Sequence, residues 1–159
     1  MTSEARTIDE RLRELGLELP AAVAPIANYV PFVRTGSLLI ISGQLPLDNG
    51  KLSEAFRGKL GKDVFNEAGQ QAARLAAINV LAQAQVALGN LDRVRRVVRL
   101  GGFINATPGF TALAAVMNGA SDLMVQVFGD HGRHARTTVG VAELPMDASV
   151  EVEAMFEFE

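Results

Sequence analysis

Nine residues, Val150 to Phe158, constrain this chain more than any other stretch. Val150, Val152, Ala154, Phe156 and Phe158 alternate with Glu151, Glu153 and Glu157, and Met155 alone breaks the acidic set. A period of two is the mark of a β-strand. One apolar face against one acidic face describes an antiparallel strand that is packed on one side and wet on the other. The acidic side reads as solvent-facing or as the carboxylate-bearing wall of a polar cavity.

The rest of the chain supplies partners for such a strand. Thr7 and Glu10 form a T-x-x-E capping box ahead of Ile8, Leu12 and Leu15, with Gly16 and Pro20 as stops. Tyr29–Arg34 and Ser37–Ser42 read as strands joined by a tight turn at Thr35-Gly36, the first demoted to an edge by Pro31. Turn residues dominate from Gly43 to Gly61. Asn66 to Leu88 is Ala-rich, lacks proline and ends at Gly89-Asn90, which predicts a long helix whose small residues suit close packing on a sheet. Val94–Leu100 predicts a strand, Gly101–Gly109 a loop, and Phe110–Phe128 a helix interrupted at Asn118-Gly119. Ala135–Val141 and Val150–Phe158 predict strands around a turn holding Pro145 and Asp147. The expected fold class is α+β: a mostly antiparallel sheet with two long helices on one face, in a single domain spanning 1–159.

Several chemistries lose their usual signal. With no cysteine there is no thiol nucleophile, disulfide or Cys-based zinc site. Fifteen basic against eighteen acidic residues give a net charge of −3, which disfavours a nucleic-acid partner. Apolar runs such as Leu38 to Ile41 fall far short of the ~20 residues of a membrane-spanning helix. The charged first residues do not resemble a signal peptide, so a cytoplasmic protein is expected. Gly58-Lys59-Leu60-Gly61-Lys62-Asp63 lacks Walker A spacing, and neither G-x-G-x-x-G nor G-x-S-x-G occurs. His131 and His134, with Asp130, imitate metal ligands, but a Gly-broken loop without further donors favours a structural role and no metal. Arg93, Arg95, Arg96 and Arg99 read as ion-paired or solvated rather than phosphate-binding.

Two runs carry a resemblance. They are Tyr29…Ile40-Ile41-Ser42-Gly43-Gln44-Leu45-Pro46, with Asn79 on the Ala-rich helix, and His134-Ala135-Arg136-Thr137-Thr138-Val139-Gly140-Val141…Leu144-Pro145…Val150-Glu151-Val152-Glu153-Ala154. Together they resemble the RidA (YjgF, endoribonuclease L-PSP) family over residues 22–158, with residues 1–20 as a helical extension typical of its longer branch. The resemblance implies a chorismate-mutase-like fold assembled as a homotrimer around a central β-barrel, with clefts between subunits. It also implies hydrolysis of reactive 2-imino or 2-enamino acids, such as 2-aminoacrylate, to 2-keto acids and ammonia without a cofactor. Arg136 matches the family's carboxylate-binding arginine and Glu151 its water-orienting glutamate. Tyr29 and Ser42 match cleft-lining residues, and Asn118 matches a cleft asparagine with its distance to Arg136 differing by one residue. Thr138 replaces the family's usual cysteine, and Gly140 stands where compact members often carry glutamate.

Physical chemistry is compatible with those roles. An arginine fork binds a planar carboxylate bidentately, and an imine carbon needs only a positioned water and a proton acceptor. With a turn near Pro145–Ala148, Arg136 and Glu151 would sit at opposite ends of a hairpin, so a neighbouring subunit is expected to complete the pocket. The partners expected are therefore a small carboxylate and further copies of the chain, with neither membrane nor nucleic acid. The competing reading is a non-catalytic trimer that binds carboxylate metabolites or regulates a partner. Ribonuclease activity, attached to some relatives, is disfavoured by the acidic charge.

Overall fold

A computed structural model describes residues 5–25 and 27–159. Residues 1–4 of the expected extension, and Ile26 within the expected core, lie outside the described residues. The first helix, α1 (Ile8–Glu14), opens on the expected capping box. Thr7 Oγ1 accepts from the Glu10 amide at 3.2 Å, and Glu10 Oε2 accepts from the Thr7 amide at 2.9 Å. Its Ile8 amide also donates to Asp92 Oδ1 at 2.7 Å, which ties the extension to the body of the fold.

Strands β1 (Phe32–Thr35) and β2 (Leu38–Gln44) form the expected antiparallel hairpin. Thr35 pairs with Leu38, so the turn is Gly36-Ser37 rather than Thr35-Gly36. Gly36 carries the positive φ of 57° that the turn needs, and no Cβ opposes it there. Within the turn-rich stretch, β3 (Leu47–Asp48) and β4 (Lys51–Leu52) make a small hairpin across Asn49-Gly50.

Helix α2 (Asn66–Leu88) has the predicted bounds, and Gly89 closes it in the left-handed conformation. Strand β5 (Val94–Asn105) runs five residues beyond the expected Leu100, through a segment that reads as loop. Gly101 and Gly102 do not break it. A side chain at Gly101 would strike Glu153, and one at Gly102 would strike Met117, so these glycines mark tight packing within a strand. Helix α3 (Leu113–Phe128) begins three residues later than expected and passes through Asn118-Gly119 without a break. There a Cβ on Gly119 would collide with the Gln70 carbonyl on α2, so the glycine permits close helix crossing.

Strands β6 (Ala135–Val141) and β7 (Val150–Phe158) have the expected bounds but not the expected pairing. The sheet order is β1-β2-β7-β5-β6, so the β6–β7 hairpin is corrected. Helix α3 serves as the crossover from β5 to β6, which forces those strands parallel and leaves β6 at the edge. Strand β7 inserts between β2 and β5 and pairs antiparallel with both. All other pairings in the five-stranded sheet are antiparallel, as an α+β layer requires.

Helices α2 and α3 cover one sheet face. Leu39, Ile41, Leu100, Ile104, Val150, Val152 and Phe156 pack there against Ala72, Ala76, Val80, Met117, Leu123 and Met124. The opposite face carries Glu151, Glu153, Met155 and Glu157 and is only half-buried. Its arginines are engaged: Arg99 meets Glu153 at 3.1 Å, Arg96 approaches Glu157 at 4.0 Å, and Arg95 pairs with Glu159. Arg93 donates to the carbonyls of Glu159 and Leu88. No helix among the described residues is long and apolar enough to cross a membrane.

Candidate active site

The six residues singled out by sequence fall into two groups, one at each side of the sheet. The first group gathers between β6 and α3. Arg136 is in register with Leu100, so its side chain leaves the sheet on the helix-covered face, beside the exposed edge. Its Nη1 donates to Asn118 Oδ1 at 2.8 Å and to Ser121 Oγ at 3.1 Å. Both Nη1 hydrogens are thereby used, while no hydrogen bond among the described residues engages Nε or Nη2. That remaining edge is the two-pronged fork that fits a carboxylate. Thr138, two residues along β6, points the same way, and its buried hydroxyl oxygen has no partner. Gly140 follows on the same side, with Leu113 as its nearest neighbour.

The second group gathers where β2 ends. The sheet register slips between Ile41 and Gln44, a bulge that re-aims Ser42 and Gly43. Ser42 Oγ donates to the Val30 carbonyl at 2.7 Å, and its amide donates to Pro31 at 2.9 Å. Tyr29, Gly43, Gln44 and Met146 line one small hollow beside it. Glu151 lies against Gly43, where any Cβ would collide with its carboxylate. Burial first, and the neighbouring Glu153 second, hold the Glu151 carboxyl above the ordinary carboxylate value. Behind this hollow, Asn79 donates from α2 to the carbonyls of Leu45 at 3.0 Å and Leu47 at 2.9 Å, fixing the Ser-Gly-Gln-Leu-Pro segment.

The two groups do not meet within one chain. Glu151 is in register with Phe103 on the open face, whereas Arg136 shares the covered face with Leu100. Strand β5 lies between them. The expected separation therefore stands, although the reason is the inserted strand and the opposite faces rather than a hairpin.

Sequence reasoning missed Ser121 and assigned His134 no part in the site. His134 Nε2 lies 2.8 Å from Ser121 Oγ, and its Nδ1 lies 2.6 Å from the Gly132 carbonyl. Burial chiefly lowers the tendency of this imidazole to take a proton; the Gly132 carbonyl opposes it in part, and the nearby Arg136 charge adds a smaller lowering effect. The signal was present in the spacing. Asn118 and Ser121 share a helix face at i, i+3, and His134 stands two residues before Arg136, immediately ahead of β6.

Comparison with known proteins places this architecture. A family model described as "YjgF/chorismate mutase-like, putative endoribonuclease" matches residues 9–157. Protein TCP17 of Trypanosoma cruzi is 51% identical over 147 residues, covering 92% of this chain and 91% of that relative. The 2-iminobutanoate/2-iminopropanoate deaminase of Salmonella typhimurium is 31% identical over 138 residues, covering 86% and 89% respectively. Among solved structures, a "putative endoribonuclease" from Shewanella oneidensis MR-1 superposes with a TM-score of 0.92 at 37% identity, covering 96% of this chain and 100% of that one. Motifs, relatives and α+β architecture agree, and the chain belongs to the YjgF/chorismate mutase-like family.

Proposed function

We propose that this protein is an enamine/imine deaminase that converts small 2-imino acids to 2-keto acids and ammonia, in clefts between the subunits of a homotrimer. The observation that carries the reading is the Arg136 guanidinium, held by one nitrogen and with its other edge engaged by no hydrogen bond among the described residues. A carboxylate docked on that fork gains two parallel charge-assisted hydrogen bonds. The deaminase name of the Salmonella typhimurium relative supports the substrate class.

In this reading the imino carbon of the docked substrate is directed at the hollow of a neighbouring chain, where Tyr29 lines the wall and Ser42 lies beside it. Glu151 orients a water there and takes one proton as the oxygen attacks the imine carbon. A tetrahedral amino-alcohol results. Starting from the protonated imine, return of that proton to nitrogen makes an ammonium leaving group, and as ammonia departs the hydroxyl gives its proton to the Glu151 carboxylate and becomes the ketone. Burial suits Glu151 to this exchange, because a raised carboxyl is a better proton acceptor at neutral pH than an ordinary one. Thr138 supplies a hydroxyl beside Arg136 in place of a thiol.

The test generates 2-iminopropanoate in situ from alanine with an amino-acid oxidase and follows semicarbazone formation. The protein should suppress the semicarbazone, and Arg136→Ala should lower kcat/KM on the order of a hundredfold, about what two charge-assisted bonds contribute. Unchanged trapping kinetics with the wild-type protein would contradict the reading. Saturable pyruvate binding without turnover would replace it with a carboxylate-binding trimer.

A further inference from the structure

The Arg136 guanidinium is not held by Asn118 alone. Its second anchor, Ser121, is itself oriented by His134. The direction of each bond in this chain follows from the chemistry of its partners. The Gly132 carbonyl can only accept, so Nδ1 of His134 carries a hydrogen toward it. In the neutral ring Nε2 is then a lone pair, and the Ser121 hydroxyl must donate to it. An arginine can only donate, so Ser121 Oγ accepts from Nη1 with a lone pair turned toward Arg136.

Without His134 nothing dictates this arrangement. A serine within a helix commonly turns its hydroxyl back to the carbonyl four residues earlier. A partly exposed arginine with one anchor keeps rotational freedom that carboxylate binding must then remove. Burial keeps the imidazole neutral, the form in which Nε2 accepts.

We propose that His134 is a positioning residue: through the Ser121 hydroxyl it fixes the plane of the Arg136 guanidinium, and so presets the fork that receives the substrate carboxylate. This inference rests on the carboxylate-anchoring role proposed for Arg136. It adds to that role a specificity device, because a guanidinium fixed in one plane selects ligands whose carboxylate arrives in that plane.

The experiment measures pyruvate affinity by isothermal titration calorimetry, and KM and kcat in the semicarbazone assay, for Ser121→Ala, His134→Leu, His134→Gln and Arg136→Ala. Ser121→Ala and His134→Leu should each weaken pyruvate binding and raise KM about tenfold, the net value of roughly one hydrogen bond, with kcat spared. His134→Gln should recover most of the affinity, because its amide oxygen can accept from Ser121. A chain carrying both Ser121→Ala and His134→Leu should bind no more weakly than either single variant, since both changes act through one hydroxyl. If His134→Leu fails to fold, His134→Ala takes its place with the same expected loss, and Ser121→Ala sets the size of that loss. Pyruvate affinity unchanged in Ser121→Ala and His134→Leu but lost in Arg136→Ala overturns the positioning role and leaves the anchor standing. A loss confined to kcat also overturns it. Affinity retained in Arg136→Ala instead overturns the proposed function itself.

Discussion

Glu151 and Arg136 are both strand residues, yet their surroundings set them opposite tasks. Arg136 is steered by hydrogen bonds, whereas Glu151 is pressed by its own burial and then by Glu153. The folded state therefore holds a proton on Glu151 more tightly than the unfolded chain does, whose value is near 4.5. Its contribution to stability is fully present below that pH and is lost as pH rises through the higher folded value. Glu151→Gln removes this loss. We expect the variant to have a higher Tm than wild type at pH 7, an advantage that disappears below about pH 4.5, while its deaminase rate collapses. Thermal denaturation across pH, paired with the trapping assay, checks both halves. A Tm at pH 7 below that of wild type would show that the carboxylate is stabilised by its surroundings.

Strands and helices were legible in the sequence where one periodicity dominated. Helix α2 announces itself through alanines and a closing glycine, and β7 through strict alternation. Legibility failed where glycine did a second job. Gly101, Gly102 and Gly119 read as breaks, but each marks a place where two elements approach too closely for a side chain. Local sequence reports conformational freedom at glycine and cannot report the neighbour that requires it. The pairing of β6 was hidden for a related reason: neighbours in sequence usually pair, and only the helix preceding β6 reveals a parallel crossover. Gly119→Ala tests this directly. Although alanine favours a helix, its methyl would meet the Gln70 carbonyl, so α2 and α3 must separate. The expected cost is about 3 kcal/mol, the upper end of overpacking, read as a lowered denaturation midpoint. A stabilised variant would mean that the crossing is looser than described.

Taken as one body, the chain leaves one sheet face without a covering layer. Across the open sheet face run Val33, Ile40 and Met155 in register, continuing to Arg99 and Ala135, with Phe103 beside Glu151 and Val139. Val33, Ile40 and Val139 are exposed there. A face of this mixture, half apolar and half carboxylate, suits a second copy better than water alone. The division of the candidate site follows the same logic. The family resemblance nominated six candidate residues, but not that they divide into two groups, because sheet order and strand face arise only when the chain folds. Light scattering coupled to gel filtration should give three times the chain mass, and a stable, active monomer would contradict the shared cleft.

Complementation reaches the same point through chemistry. Arg136→Ala and Glu151→Gln chains, each inactive as a homo-oligomer, would be co-expressed and purified as mixed assemblies carrying distinguishable tags. If each cleft takes its arginine from one chain and its glutamate from the next, random mixing restores about a quarter of the wild-type sites, and imine hydrolysis returns to about that level. If both residues served the same chain's site, no mixed assembly would contain an intact cleft, and the activity would remain at that of the separate variants.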